Sequence, residues 1–113
     1  MSILKIPVNK LKPSELTHMD LEYELDAINQ FEVEGADNGI FLVLRTNEDS
    51  EIEILGGDSV LGGASRVVPV LYEGLNFLHL ESGRHLIHKE DGSKVIQFNC
   101  DSEGVYCSVV QLI

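Results

Sequence analysis

Three histidines lie close together in the sequence, and imidazole is a common ligand of zinc and copper. His79, His85 and His88 fall within ten residues. On an extended chain His85 and His88 are three positions apart and point to opposite faces, while His79 belongs to a neighbouring strand. A tetrahedral zinc site needs a fourth ligand, and the sequence offers no obvious candidate. We therefore expect surface or hairpin histidines, no metal site and no cofactor.

The two cysteines are candidate nucleophiles, because a thiolate attacks electrophilic centres. The four-residue turn 101–104 predicts a hairpin that pairs Cys100 with Val105 and places Phe98 opposite Cys107. In that register the thiols share an apolar face but lie diagonally, farther apart than a relaxed disulfide requires. We expect two free core thiols. Since no neighbouring base or electropositive surrounding is visible, we expect no catalytic cysteine.

The chain is strongly acidic, with nineteen Asp and Glu against eight Lys and Arg and a net charge of −11. Such a charge repels nucleic acids and anionic membranes, so we expect neither as a partner. A glycosidase would combine two carboxylates with aromatic platforms for sugar rings, and this chain has no Trp. Its seven aromatic residues fall on predicted strands, where packing explains them. We therefore expect a protein that is not an enzyme.

One stretch of carboxylates has a regular spacing. Acidic residues alternate with apolar ones at Asp20, Glu22, Glu24 and Asp26. On a strand these four would form one acidic face, suited to a basic partner or to mimicry of a nucleic-acid backbone. A solvated strand protected from edge pairing by its charge is the simpler interpretation. Residues 14–30 also fit a helical stripe, so strand and helix both stay open there.

The elements that must position these residues are short apolar runs separated by turn residues, a pattern typical of an all-β protein. The runs recur roughly every eight to twelve residues, as in a sandwich or a small barrel. We predict a single domain over residues 1–113, built as a β-sandwich of about eight or nine mostly antiparallel strands. Jelly-roll-like and Ig-like arrangements both fit, and a small barrel is the alternative. Residues 1–13 are expected to form an extended N-terminal arm or edge strand.

Individual strands can be placed more closely. The unbroken apolar run 40–44 predicts a central strand buried on both faces, and Asn38-Gly39 before it supplies the positive φ of a tight turn. Pro69 predicts an edge strand or a bulge, because proline cannot donate to a neighbouring strand. The turn 90–93 predicts a hairpin between residues 85–88 and 95–98.

The order of these turns and strands carries a resemblance. The residues concerned are Asp37-Asn38-Gly39 before the strand 40–44, Asn47, Glu73-Gly74, Phe77, Asp91-Gly92 and the terminal strand 109–113. In this order the chain resembles small all-β proteins of tailed bacteriophages and prophages that are associated with the virion head. The resemblance implies a decoration or minor capsid protein that binds a capsid or other virion protein and forms a homo-oligomer such as a trimer. It also implies the host cytoplasm during assembly and the virion afterwards, and we detect no secretion signal.

A capsid-binding scaffold would use its loops and edges for contact. We place the partner-binding residues on the glycine-rich loop and next to it, at Gly56, Gly57, Asp58, Gly62, Gly63 and Arg66. Loops carried by a rigid sheet often make contacts, and arginine is enriched at interfaces. Arg84 is a second candidate anchor, although a turn-flanking role explains it more simply. The alternative function is an acidic binding module, such as an inhibitor, an immunity protein or a nucleic-acid mimic, with the acidic face from Asp20 to Asp26 on a basic protein.

Overall fold

The computed structural model describes residues 3–16, 23–34, 39–57, 64–80 and 85–112, and these ranges contain eleven β-strands and no helix. In chain order the strands are β1 (Leu4–Lys5), β2 (Val8–Leu11), β3 (Tyr23–Glu24), β4 (Ile28–Val33), β5 (Ile40–Thr46), β6 (Ser50–Ile54), β7 (Arg66–Val70), β8 (Asn76–Leu80), β9 (Ile87–His88), β10 (Lys94–Cys100) and β11 (Val105–Leu112). The all-β prediction is confirmed.

The strands form two mixed sheets. The first has the order β1-β4-β10-β6-β7, with β9 also paired to β10, and the second has the order β2-β11-β5-β8, with β3 also paired to β11. Only β1 with β4 and β2 with β11 are parallel, so the described pairs are mostly antiparallel, as predicted. Neither order returns to its first strand, so the described chain does not form the closed barrel that was the alternative.

The strand number exceeds the prediction of eight or nine because two segments are each divided in two. The N-terminal arm contributes β1 to the first sheet, crosses at Ile6 and Pro7, and contributes β2 to the second. Ile6 is buried, and its N–H donates to the carbonyl of Gln30 at 2.9 Å. Residues 25–27 likewise separate β3 from β4. Strands β1 and β2 each lie at an edge of their sheet.

Both sheets contribute to one hydrophobic core. From the first sheet, Phe31 and Phe98 meet edge to face with their ring centroids 6.3 Å apart. From the second sheet, Leu42, Leu44 and Val109 are at most 1% exposed. Burial of these side chains supplies most of the driving force for folding.

The pairing predicted for the cysteines is wrong. Cys100 ends β10 opposite Ile52 in the first sheet, whereas Cys107 lies on β11 opposite Leu44 in the second. The turn between them therefore carries the chain from one sheet to the other and does not close a hairpin. The inward-facing side of each strand is nevertheless apolar. Both thiols are accordingly buried and free, as predicted.

Other local predictions are confirmed. Strand β5 lies between β11 and β8, and β7, which contains Pro69, lies at an edge of the first sheet. The β9–β10 hairpin forms with Lys94 opposite His88. Gly39 adopts a φ of 67°. The described part of residues 14–30 contains strands, while residues 17–22 lie outside the described ranges.

Within the described ranges, no helix has the length and apolar composition needed to cross a bilayer.

Candidate protein-binding surface

The two thiols are poorly suited to nucleophilic chemistry. Burial, with a smaller contribution from the neighbouring Cys100, raises the pKa of Cys107 from its ordinary value of 9.0 to about 12. Burial also raises the pKa of Cys100, while a hydrogen bond to Ser102 partly opposes this shift. Because the thiolate is the reactive form, both cysteines are unreactive at neutral pH. Their structural role is to fill the core.

The raised pKa of Cys107 predicts a loss of stability at alkaline pH. The folded protein holds this proton more tightly than the unfolded chain, so the stabilisation is complete below about pH 9 and is lost as the pH rises toward 12. We expect the free energy of unfolding to fall by up to about 1.4 kcal/mol per pH unit more steeply than in Cys107→Ala. Urea titrations of both proteins across this pH range would measure the two slopes. Equal slopes in the two proteins would contradict the raised pKa of Cys107.

His79 and His85 lie in different environments. His85 is buried, contrary to the expectation of a surface residue, and its Nδ1 lies 3.0 Å from the carbonyl oxygen of Leu55. The exposed His79 stacks on Phe41 with ring centroids 4.6 Å apart. In the ranges that the structure describes, no group of three or more His, Cys, Asp or Glu side chains is arranged to hold a metal ion.

The glycine-rich loop begins in close contact with the rest of the chain. A Cβ atom on Gly57 would lie 2.5 Å from the carbonyl oxygen of Leu86, so only glycine fits there. Gly56 and Gly57 are half-buried, and Arg66 lies exposed opposite Ile54 at the same end of the first sheet. This part of the loop is anchored against the chain by its close contact with residues 85 and 86. The other predicted loop residues, Asp58, Gly62 and Gly63, lie outside the described ranges, and so does Arg84.

Two of the four residues of the predicted acidic face lie in the described ranges. Glu24 and Asp26 are exposed on either side of the buried Leu25. The Glu24 carboxylate accepts a hydrogen bond from the N–H of Gly104 at 2.9 Å, and Asp26 Oδ1 accepts one from Ala27 at 3.0 Å. Both carboxylates thus bond to nearby backbone. Asp20 and Glu22 lie outside the described ranges.

An open groove of about 670 Å³ lies between the N-terminal arm, β4 and the β9–β10 turn. Its lining combines three lysines with three carboxylates: Lys5, Lys10, Lys89, Glu32, Glu34 and Asp91. Lys10 and Glu34 form an ion pair across it. Hydrogen bonds from the Ser93 hydroxyl and N–H lower the pKa of Asp91. The lysines and carboxylates of the lining are equal in number, so the groove has no predominant sign of charge.

The most distinctive surface lies between β7 and β8. Three large apolar side chains are more than half exposed there, and they define a surface that we name the apolar turn: Leu71, Tyr72 and Leu75. Phe77, the next outward-facing residue of β8, is 68% exposed. Exposed apolar surface that is grouped in this way typically marks a binding site for another protein.

The apolar turn is held in place by hydrogen bonds from its neighbours. The Asn76 side chain accepts the Leu71 N–H at 3.1 Å and donates to the Leu71 carbonyl at 3.0 Å. The Tyr72 N–H donates to Asp49 Oδ1 at 2.7 Å. Two consecutive residues with positive φ, Glu73 and Gly74, reverse the chain between them. The exposed side chains are therefore carried on a well-defined backbone, which lowers the entropy lost on binding.

This surface continues onto the outer face of the second sheet. Phe77 lies opposite the buried Val43, and His79 lies opposite Phe41. Farther along the same face, Arg45 lies over the ring of Tyr106, with its guanidinium carbon 4.6 Å from the ring centroid. Tyr72 and Phe77, which were expected to serve in core or inter-strand packing, are both more than half exposed, and Tyr72 lies outside the strands. The sequence did contain one indication of this exposure. Tyr72 and Leu75 flank the turn residues Glu73-Gly74, where no buried strand is expected.

No protein-family model, curated protein or solved structure matches the chain.

Proposed function

We propose that this chain is a non-enzymatic structural protein of a phage or prophage virion that binds the capsid surface as a decoration or minor head protein. The scaffold in this proposal is a β-sandwich, jelly-roll-like or Ig-like, that presents the apolar turn to its partner. The exposure of Leu71, Tyr72 and Leu75 on an ordered turn is the observation that supports it most. The order of turns and strands in the sequence supports the choice of a virion partner.

The proposed contact matches what binding to a repetitive surface requires. Removing apolar side chains from water favours association by about 25 cal/mol for each Å² buried. Aromatic residues such as Tyr72 are enriched among the residues that dominate binding energies. A capsid repeats its binding site many times, so modest affinity at each site is sufficient for dense decoration, and avidity adds to it if the protein is oligomeric.

Co-sedimentation with empty heads of the phage or prophage that encodes the chain would test this proposal. We expect the wild-type protein to saturate the heads at a fixed number of copies for each capsomer. The double variant Tyr72→Ser/Leu75→Ser should lose about tenfold or more in affinity, because it loses two apolar contacts. The matched control Leu16→Ser/Val67→Ser changes two side chains that are also more than half exposed but lie elsewhere, and it should bind as the wild type does.

Each contrary result has a definite meaning. No sedimentation of wild-type protein with the heads would overturn the virion role. Equal losses in both double variants would place the contact outside the apolar turn. Capture of a basic protein, weakened by salt and by Glu24→Gln, together with no binding to heads, would instead favour an acidic inhibitor or immunity protein.

A further inference from the structure

Among the described strands, β8 lies at a sheet edge that lacks the usual protection. Unpaired N–H and C=O groups at an edge can pair with another chain, and proteins prevent this with charges, prolines or very short strands. The edge strands β1, β3 and β9 have two residues each, while β2 carries Lys10 and β7 carries Arg66 and Pro69. Strand β8 has five residues, with neither a charge nor a proline, and within the described ranges it pairs only with β5.

We propose that β8 pairs with β8 of a second copy of this chain, antiparallel about a two-fold axis that passes through Leu78. Two identical strands related by such an axis are automatically antiparallel, and each copy contributes the same residues to the contact. The second sheets of the two copies then form one continuous sheet. This inference does not depend on the virion role.

The side chains of β8 complement one another in this register. With Leu78 on the axis, Phe77 lies opposite His79 of the second copy, and the same pair occurs twice. Within one chain His79 already stacks on Phe41 at 4.6 Å. The pairing therefore places His79 between two phenylalanine rings and covers Phe77, which is 68% exposed in the single chain. Cross-strand pairs between aromatic side chains stabilise sheets, so this register is preferred to one shifted by a residue.

Charge on β8 itself does not oppose a second copy at this edge. The chain carries −11, yet β8 itself carries no charged side chain, so like charges do not face each other within the paired strands. The remaining carboxylates give a general repulsion between copies. Added salt screens this repulsion and should strengthen the association, whereas it weakens binding between an acidic surface and a basic partner.

Cysteine cross-linking tests both the contact and its register. The native thiols are buried, so a single introduced cysteine is the reactive one. Leu78→Cys should oxidise to a disulfide-linked dimer, because residues opposite each other on paired strands lie close enough for this bond. An equal mixture of Phe77→Cys and His79→Cys should form a mixed dimer in much higher yield than either variant forms with itself. Both of these positions are exposed, so they test the register even if Leu78→Cys does not fold.

Sedimentation velocity over a range of protein concentrations measures the association itself. We expect a concentration-dependent dimer in the wild type, strengthened by salt, and about tenfold weaker association in Phe77→Ser, which loses both aromatic pairs. Val67→Ser on the first sheet is the matched control and should dimerise normally. A monomer at all concentrations, or equal cross-linking at 77, 78 and 79 in every combination, would overturn the proposal. A trimer whose cross-links avoid β8 would overturn it as well, and none of these results bears on head binding.

Discussion

Replacing Phe98 with alanine should lower the free energy of unfolding by about 3–5 kcal/mol. The Phe98 side chain is 0% exposed and lies on β10, between Asn29 of β4 and Ile54 of β6. Its ring packs edge to face against Phe31. The substitution removes these contacts and leaves a cavity enclosed by both sheets, which cannot close without moving backbone. Urea unfolding followed by circular dichroism would measure the loss.

Phe77→Ala is the matched control for this prediction. It removes the same atoms from a side chain that is 68% exposed, so we expect a change within about 0.5 kcal/mol when the protein is dilute and monomeric. A loss at Phe77 equal to that at Phe98 would mean that Phe77 is buried in the folded monomer. The assignment of inner and outer faces in the second sheet would then be wrong.

Gly57→Ala should destabilise the protein by about 3 kcal/mol, near the upper end of the usual cost of overpacking. The new Cβ would lie 2.5 Å from the carbonyl oxygen and 2.8 Å from the nitrogen of Leu86. Both are backbone atoms, so no side-chain rotation relieves the clash, and the segment that follows β6 must move away from residues 85 and 86. Thermal and urea unfolding would measure the change.

Gly74→Ala separates crowding from backbone strain. Gly74 has a φ of 79°, but a Cβ atom there would have no neighbour within 4 Å. We expect only the cost of placing alanine in the left-handed region, about 1 kcal/mol. If Gly57→Ala were no more costly than Gly74→Ala, the close contact between the glycine-rich loop and Leu86 would be refuted.

The parts of the fold that could be predicted are those that local sequence determines. The continuous apolar run of β5 requires cover on both faces, so its central position follows directly. Pro69 has no backbone N–H to donate to a neighbouring strand, so its position at an edge also follows from local sequence. The partners of β10 and β11 could not be predicted, because a turn of the same length joins two strands of one sheet or carries the chain between two sheets. That choice depends on distant strands, here β4, β6, β5 and β2.

The exposed apolar surface was less predictable than the fold. Alternation along β8 places Phe77 and His79 on one face and Leu78 and Leu80 on the other, but it does not indicate which face another element covers. Phe77 was therefore assigned to packing. The anchoring of Gly57 depends on Leu86, twenty-nine positions away in the sequence, and no local sequence pattern predicts such a contact. The exposure of Glu24 and Asp26 around the buried Leu25 follows a local periodicity of the sequence.

The position of β11 in the second sheet has a consequence for how the protein is made. This strand lies between β2 and β5, yet it is the last of the described strands in chain order. While a ribosome is still producing residues 105–112, the nascent chain holds β2 and β5 without the strand that joins them. Contacts between residues so distant in sequence form slowly. Until synthesis passes this point, the unsatisfied strands are exposed to aggregation, and a chaperone would act most usefully in that interval.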